Sequence, residues 1–168
     1  VVAFKKPCYK NVYMHGMILD WQGGKMSKSL GNVISPDEVI EKSGVDVFRY
    51  YMFQNTAGEN MNFNWEELKI KQRNINVLWN LKNYLIELSD QLGKNPLKIK
   101  PKFDLEERYI LSKCNATIKE VTELFDKYRL DETALPITSL FLDLSRVYIQ
   151  LVRDKLSLGG DSEKEAVL

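Results

Sequence analysis

The sequence predicts a mainly α-helical chain: a short β and loop segment, two junction helices, then an antiparallel helical bundle. Three observations carry this expectation. Three long stretches hold apolar residues at three-, four- and seven-residue spacing, the stripe by which a helix buries one face. Prolines and glycines fall at the ends of those stretches, with Pro136 the exception. The β-favouring run is confined to Val12-Tyr13-Met14-His15-Gly16-Met17-Ile18-Leu19.

Each element follows in order. The run from Val12 to Leu19 is expected to be a buried strand, and Asp20-Trp21-Gln22-Gly23-Gly24 supplies turn chemistry after it. A basic loop then hangs from that turn. Ser35-Pro36-Asp37-Glu38 marks a helix start, with Ser35 as cap, proline at the first helical position and two acids at the positive end of the dipole. That helix ends near Ser43-Gly44, and a second from Val45-Asp46 places Val47, Phe48, Tyr51 and Met52 on one face. Asn55 to Asn64 is a polar loop.

Asn64 caps a long helix reaching Leu92-Gly93, with Leu68, Ile75, Leu78, Leu81, Leu85, Leu88 and Leu92 as its stripe. Residues 94–102, with two prolines, form a connector. A third long helix fits Leu105 to Tyr128, with Ile110, Cys114, Ile118, Val121 and Phe125 on one face. Asp131 is expected to cap a fourth, cored by Ile137, Leu140, Phe141, Leu144, Tyr148, Leu151 and Val152, with Pro136 kinking its first turns or marking a restart. Gly159-Gly160 ends it, and Asp161 begins a further helix that the chain does not finish.

Composition bounds the function. With 168 residues, 44% of them hydrophobic and 11% aromatic, the chain can build one substantial core or a core plus an appendage. No apolar run approaches the ~20 residues of a membrane helix, so no membrane partner is expected. The net charge is +1, and nucleic-acid binding therefore depends on local clusters of cations. Cys8 and Cys114 are far apart, show no C-x-x-C spacing and share the chain with a single histidine, His15. That is too few ligands for zinc, so no metal site is expected. Reduced thiols in an intracellular, cytoplasmic and monomeric protein are. The first residues lack an initiator methionine and the layout of a signal peptide, as in an excerpt from a longer chain.

Chemistry concentrates in Lys25-Met26-Ser27-Lys28-Ser29, bracketed by Gly23, Gly24 and Gly31. Two ammonium groups and two hydroxyls on a glycine-flanked segment suit a mobile grip on a polyphosphate. A triphosphate attacked at its α-phosphorus builds negative charge on the phosphoryl oxygens and on departing pyrophosphate. Cations closing on it in the transition state lower that barrier. Lys25 and Lys28 are the candidate phosphate contacts, with Ser27 and Ser29 as auxiliary donors or loop organisers.

The match extends well beyond the loop. His15 to Asp20, Lys25 to Val33, Pro36 to Ile40 and Gly44 to Tyr51 resemble, in order and spacing, the second signature region of class I aminoacyl-tRNA synthetases. The likeness continues through Leu78-Trp79-Asn80 and through Asp143 to Asp154. Within the subgroup for branched aliphatic amino acids, Leu30 after Ser29 resembles isoleucine-specific members of archaeal type, whereas valine and leucine members more often carry lysine there.

The resemblance implies a loop that closes over ATP, accompanied by Mg2+, during amino-acid activation. Lys25, Met26, Ser27, Lys28 and Ser29 are then its ATP-binding set, with Lys25 and Lys28 as its catalytic contacts and Lys28 most directly tied to ATP. It divides the chain into a catalytic-domain tail (1–34), a stem-contact junction (35–64) and part of an anticodon-binding bundle (65–168). The first signature of the class needs two histidines, and this chain has one. The segment alone is therefore expected to be inactive, with isoleucine held by other parts of a parent ligase.

Contacts to tRNA are assigned to Lys69, Lys71, Arg73, Arg146, Arg153 and Lys155. Trp65 and Trp79 are potential base platforms, with core packing favoured for Trp79. His15 is expected to be structural. A fragment of a valine- or leucine-specific member and a helical RNA-binding module with no ATP role are the competing readings.

Overall fold

The computed structural model describes residues 4–167 apart from 94, 96, 97 and 99. It is mostly helical, as the stripes predict, with one small sheet among the described residues. Strand β1 (Ile18–Leu19) runs parallel to β2 (Met61–Asn62), Ile18 opposite Met61 and Leu19 opposite Asn62. The long buried strand expected from Val12 is thus corrected to two residues, and Val12, Tyr13, Met14 and Met17 are exposed. The reason is coverage. Among the described residues the part from Val12 to Met17 is paired along one edge, through Gly58 N to Met14 O (2.9 Å) and Met61 N to Met17 O (3.0 Å), and Lys25 bridges the segment only at its end, at Leu19. Gly16 is required by that approach, because a Cβ there would lie 1.8 Å from the Glu59 carbonyl oxygen.

Helix α1 (Pro36–Ser43) starts as its sequence demands: the Ser35 hydroxyl accepts from Asp37 N at 3.3 Å and Pro36 takes the first position. Gly44, at φ 84°, separates it from α2 (Val45–Met52). These helices close a core over β2 and the start of α3 (Trp65–Leu92), in which Val39, Val47, Tyr51, Phe63 and Leu68 are buried. The Tyr51 and Phe63 rings meet edge-on at 5.3 Å, and Phe63 meets Trp65 at 5.0 Å. The Tyr51 hydroxyl accepts from Asn64 N at 2.8 Å and donates to Asn62 O at 3.4 Å, so the buried phenol is satisfied. Burial pushes that phenol above its ordinary pKa.

Asn64 caps α3 by accepting from Glu66 N (2.9 Å), and Gly93 closes it at φ 61°. Of the predicted stripe only Leu68 and Leu88 are fully buried. Leu78 and Leu85 are nearly half exposed and wall a groove of about 330 Å³ with Leu81, Tyr84, Leu144 and Tyr148. Trp79 is not in the core: it is 59% exposed, with Lys82 Nζ 4.1 Å from its ring centre. Trp65, for which no core role was expected, is half-buried against the Tyr51 cluster.

Of the predicted connector, residues 94–102, residues 94, 96, 97 and 99 lie outside the described residues. Helix α4 (Leu105–Asp126) opens with Asp104 N donating to Glu107 Oε2 at 2.9 Å. Its covered face is rotated from the predicted one. Ile110, Cys114, Thr117, Val121 and Leu124 are half-buried, while Ile118 and Phe125 are exposed. Steps of three and four from Glu107 through Ile110, Cys114 and Thr117 keep to one side, and Ile118 falls one residue off that seam. The helix ends before Tyr128, whose φ of 58° turns the chain while Arg129 N donates to Leu124 O at 2.9 Å.

Asp131 does not cap the next helix, because it lies inside a 3₁₀ turn, Leu130–Glu132. The buried Thr133 follows, its hydroxyl donating to Leu130 O at 2.7 Å. Helix α5 (Ala134–Asp143) then restarts with Pro136 in its first turn, where proline costs no intrahelical hydrogen bond. The single helix expected beyond it is instead a π-turn (Leu144–Tyr148), α6 (Ile149–Leu151) and α7 (Arg153–Ser157), broken at Val152 (φ −94°, ψ 5°). Helix α8 (Asp161–Val167) follows.

Helix α5 packs against both α3 and α4, and α2 packs on α3. Lys113 Nζ reaches Asp143 Oδ2 at 3.0 Å between α4 and α5, and the Tyr50 hydroxyl bonds that of Thr138 between α2 and α5. Lys155 of α7 reaches the start of α4, with Nζ 3.0 Å from Glu107 Oε1, 3.1 Å from Glu106 Oε2 and 3.3 Å from Asp104 Oδ2. Burial opposes the charge on Lys155, but its bonds to Glu107, Glu106 and Asp104 hold its pKa well above the ordinary lysine value. Burial, reinforced by the Glu107 charge, pushes the neighbouring Tyr148 phenol up to about 12.

Candidate functional site

The basic loop leaves β1 through a turn built around one carboxylate. Asp20 is buried, and its Oδ1 accepts from Gly24 N at 2.7 Å and Gln22 N at 3.0 Å. Its Oδ2 accepts from Asn32 Nδ2 at 2.7 Å, across the base of the loop. The Asn32 bond, then the Gly24 amide, holds the Asp20 carboxyl below its ordinary pKa. Gly24 is required here, since a Cβ would stand 2.8 Å from Asp20 Oδ2.

Asn32 also serves the loop from its other atoms. Its Oδ1 accepts from Ser27 N at 2.9 Å and its Nδ2 donates to Lys25 O at 3.2 Å. Lys25 in addition makes an antiparallel backbone bridge with Leu19. Ser27 begins a 3₁₀ turn, Lys28–Leu30, its Oγ accepting from Leu30 N at 3.3 Å and lying 3.1 Å from Ser29 Oγ. Gly31 closes that turn at φ 68°.

Met26 is half-buried and packs against the Val39–Tyr51 core, where Ile34 N lies 3.5 Å from its sulfur. Lys25 and Lys28 on either side are exposed, and neither ammonium has an ion-pair partner among the described residues. The loop therefore offers two available cations and two hydroxyls on a segment anchored by the Met26 side chain and by Asn32. Such a surface can receive a polyphosphate but has no buried wall of its own to enclose one.

The proposed RNA contacts stand on separate elements. Lys69 is exposed and paired with Glu66 at 2.7 Å, Arg73 is exposed on the same helix, and Lys71 is half-buried with Nζ 5.2 Å from the Tyr50 ring centre. Arg146 is exposed on the π-turn, and Arg153 is exposed beside Tyr84, Glu87 and Gln91. Lys155 is corrected: it is an internal ion-pair partner, 18% exposed, with three carboxylates already around it. His15 is exposed, with Nδ1 2.8 Å from the Gly16 carbonyl oxygen, so its bond is local and no core packs on it.

Sequence reasoning passed over Asp20 and Asn32 as organisers. The available signal was Asp20 opening the turn Trp21-Gln22-Gly23-Gly24, where an aspartate carboxylate can accept from the backbone two residues on. The partnership with Asn32 spans twelve residues and has no local signature.

Comparison with known proteins places these features. Residues 1–64 match the family model for tRNA synthetases class I (I, L, M and V), and residues 107–168 match that for the anticodon-binding domain of tRNA ligase. The chain is 42% identical over 166 residues to the isoleucine–tRNA ligase of Thermococcus kodakarensis, covering 96% of this chain and 16% of that relative. It is 40% identical over 176 residues to that of Methanopyrus kandleri, covering 99% and 16%. The chain thus spans about one sixth of the length of these relatives. Among solved structures it resembles the ternary complex of Agrobacterium radiobacter K84 agnB2 LeuRS with tRNA and LeuAMS. The TM-score is 0.63 and the identity 25%, over 91% of this chain and 18% of the other. With both family descriptions met in chain order, and about 40% identity to archaeal isoleucine–tRNA ligases along nearly its whole length, the chain belongs to the class I tRNA synthetases.

Proposed function

We propose that this chain is the part of an isoleucine–tRNA ligase that supplies the ATP-closing loop and a portion of the tRNA-binding region. In amino-acid activation a carboxylate oxygen of isoleucine attacks the α-phosphorus of ATP and pyrophosphate leaves. Lys25 and Lys28 would meet the charge that builds on the phosphates, with Ser27 and Ser29 adding neutral donors. The observation that carries this reading is the arrangement of Met26 seated on the core between two exposed, unpaired lysines. Identity to isoleucine ligases over nearly the whole chain supports isoleucine as the amino acid.

Residues 1–34 are assigned to the catalytic-domain tail, 35–64 to the junction and 65–168 to the anticodon-binding bundle. Transfer RNA would meet Lys69, Lys71, Arg73, Arg146 and Arg153. Magnesium would arrive on the triphosphate, since among the described residues no three His, Cys, Asp or Glu side chains gather around a metal position. A monomeric, cytoplasmic ligase completes the proposal. Among the described residues no helix is long and apolar enough to cross a membrane.

The test replaces the matching segment of the Thermococcus kodakarensis ligase with this chain and follows isoleucine-dependent ATP–pyrophosphate exchange. Exchange is expected to persist in the chimera and to fall by roughly 10²-fold or more in its Lys28→Ala form, as for loss of a preorganised donor. The 168-residue chain alone is expected to give no exchange above a Lys28→Ala control. A chimera indifferent to Lys28→Ala would overturn the assignment.

A further inference from the structure

The two lysines of the loop are held in different ways. Lys25 is bound through its backbone twice, by the bridge to Leu19 and by Asn32 Nδ2 on its carbonyl oxygen at 3.2 Å. Ser27, two residues on, is held through its amide by Asn32 Oδ1 at 2.9 Å. Asn32 is in turn fixed by Asp20 Oδ2 at 2.7 Å, and Asp20 Oδ1 grips the turn that precedes Lys25. From Lys28 to Gly31, by contrast, the hydrogen bonds of the 3₁₀ turn among the described residues run within the loop, to Ser27 and Lys28.

We propose that Asp20 and Asn32 form a clasp that divides the loop into a fixed half carrying Lys25 and a mobile turn carrying Lys28, and so position Lys28 for ATP. The proposal rests on the ATP role assigned to the loop above. Asn32 uses each face of its amide: the NH2 donates to Asp20 and Lys25, and the oxygen accepts from Ser27. Opening the clasp would leave Lys28 on a looser tether running from the core-seated Met26 to Ile34, and the orientation needed at the transition state would be lost. Asp20 and Asn32 are therefore positioning residues; neither touches the nucleotide.

The test has two arms. In the 168-residue chain, amide hydrogen exchange is expected to show Ser27 and Gly24 protected and Lys28 and Ser29 exchanging fast. Asn32→Ala should accelerate Ser27 by about tenfold or more while leaving Lys28 unchanged. In the chimeric ligase, Asn32→Ala and Asp20→Asn should each lower kcat of ATP–pyrophosphate exchange by roughly 10- to 100-fold, with KM for isoleucine unmoved. Asp20→Asn places two NH2 groups against each other. The reciprocal pair Asp20→Asn with Asn32→Asp restores a donor facing an acceptor and keeps an oxygen for Ser27 N, while losing the bond to Lys25 O. It should therefore recover part of the loss, about threefold or more over either single substitution.

A pair no better than its single substitutions, or a Ser27 amide indifferent to Asn32→Ala, sinks the clasp. An Asn32→Ala chimera as active as its parent, while Lys28→Ala is crippled, also removes it and leaves the ATP role standing. Indifference to Lys28→Ala removes the ATP role itself.

Discussion

Around Tyr51, side chains from α1, α2 and the start of α3 shut out solvent almost completely, whereas along α3 from Leu78 to Leu85 an equally regular stripe stays nearly half open. Both regions were expected from the same kind of pattern, apolar residues at helical spacing. They differ in how many surfaces converge. At the junction two short helices, a strand and a capped helix start meet from several directions, and aromatic edges fill the space between them. Farther along α3 the facing partners are the π-turn and α6, and a groove of about 330 Å³ separates them. A stripe identifies the apolar face of a helix; closure depends on what crosses it.

The strongest way to break this comparison is to truncate one side chain in each region. Tyr51→Ala removes a fully buried ring and a hydroxyl that bonds Asn64 N, and is expected to cost about 3–5 kcal/mol of unfolding free energy. Leu85→Ala, at a site already 42% exposed, is expected to cost under about 1.5 kcal/mol. Urea unfolding of the two variants with equal m-values checks the contrast. Equal costs would mean that the two regions are comparably packed.

The bundle has a polar fastening where the junction has an apolar one. Lys155→Met leaves Glu107, 1% exposed, without its cation, and a cost of about 3 kcal/mol is expected. Adding Glu107→Leu should return most of that, because the orphaned charge is gone. The pH dependence follows from the signs. Lys155 is held above its ordinary pKa, so its contribution is complete below that value and is lost as pH rises through the higher folded one. Glu106 is held below its ordinary value, first by its own backbone amide and then by Lys155, so its share is lost as pH falls through the lowered folded pKa. Thermal unfolding of wild type and Lys155→Met should therefore converge at both extremes and differ most near neutrality.

What could be read from the sequence follows the range of the interactions. Ser35, Pro36, Asn64 and Gly93 stand where their caps and breaks were expected, because a cap is decided by the few residues beside it. The basic loop was legible for the same reason, as a local run of lysine and serine among glycines. Lys155 was misassigned to an RNA surface because its carboxylate partners lie about fifty residues earlier. The Asp20–Asn32 bond, the rotated face of α4 and the π-turn at Leu144 were invisible for related reasons. Each depends on which neighbour packs against the element, and periodicity alone does not encode the neighbour.

The smallest expected effect sharpens the same contrast, through two tryptophans on one helix. Trp65 stands on the Tyr51 core with Lys42 Nζ 4.7 Å from its ring centre, while Trp79 is 59% exposed beneath Lys82. Trp79→Ala should change stability by less than about 1 kcal/mol, the worth of an exposed cation–π pair, whereas Trp65→Ala should cost several times more. Fluorescence separates them independently: with Trp21 and Trp79 replaced by Phe, the remaining Trp65 should emit to the blue of the wild type and resist acrylamide. Leaving Trp79 in place should restore a red-shifted, readily quenched component. If Trp79 alone proved blue-shifted and protected, the outer face of α3 would be covered in solution, and the distinction between a closed junction and an open bundle would fail at its most exposed aromatic side chain.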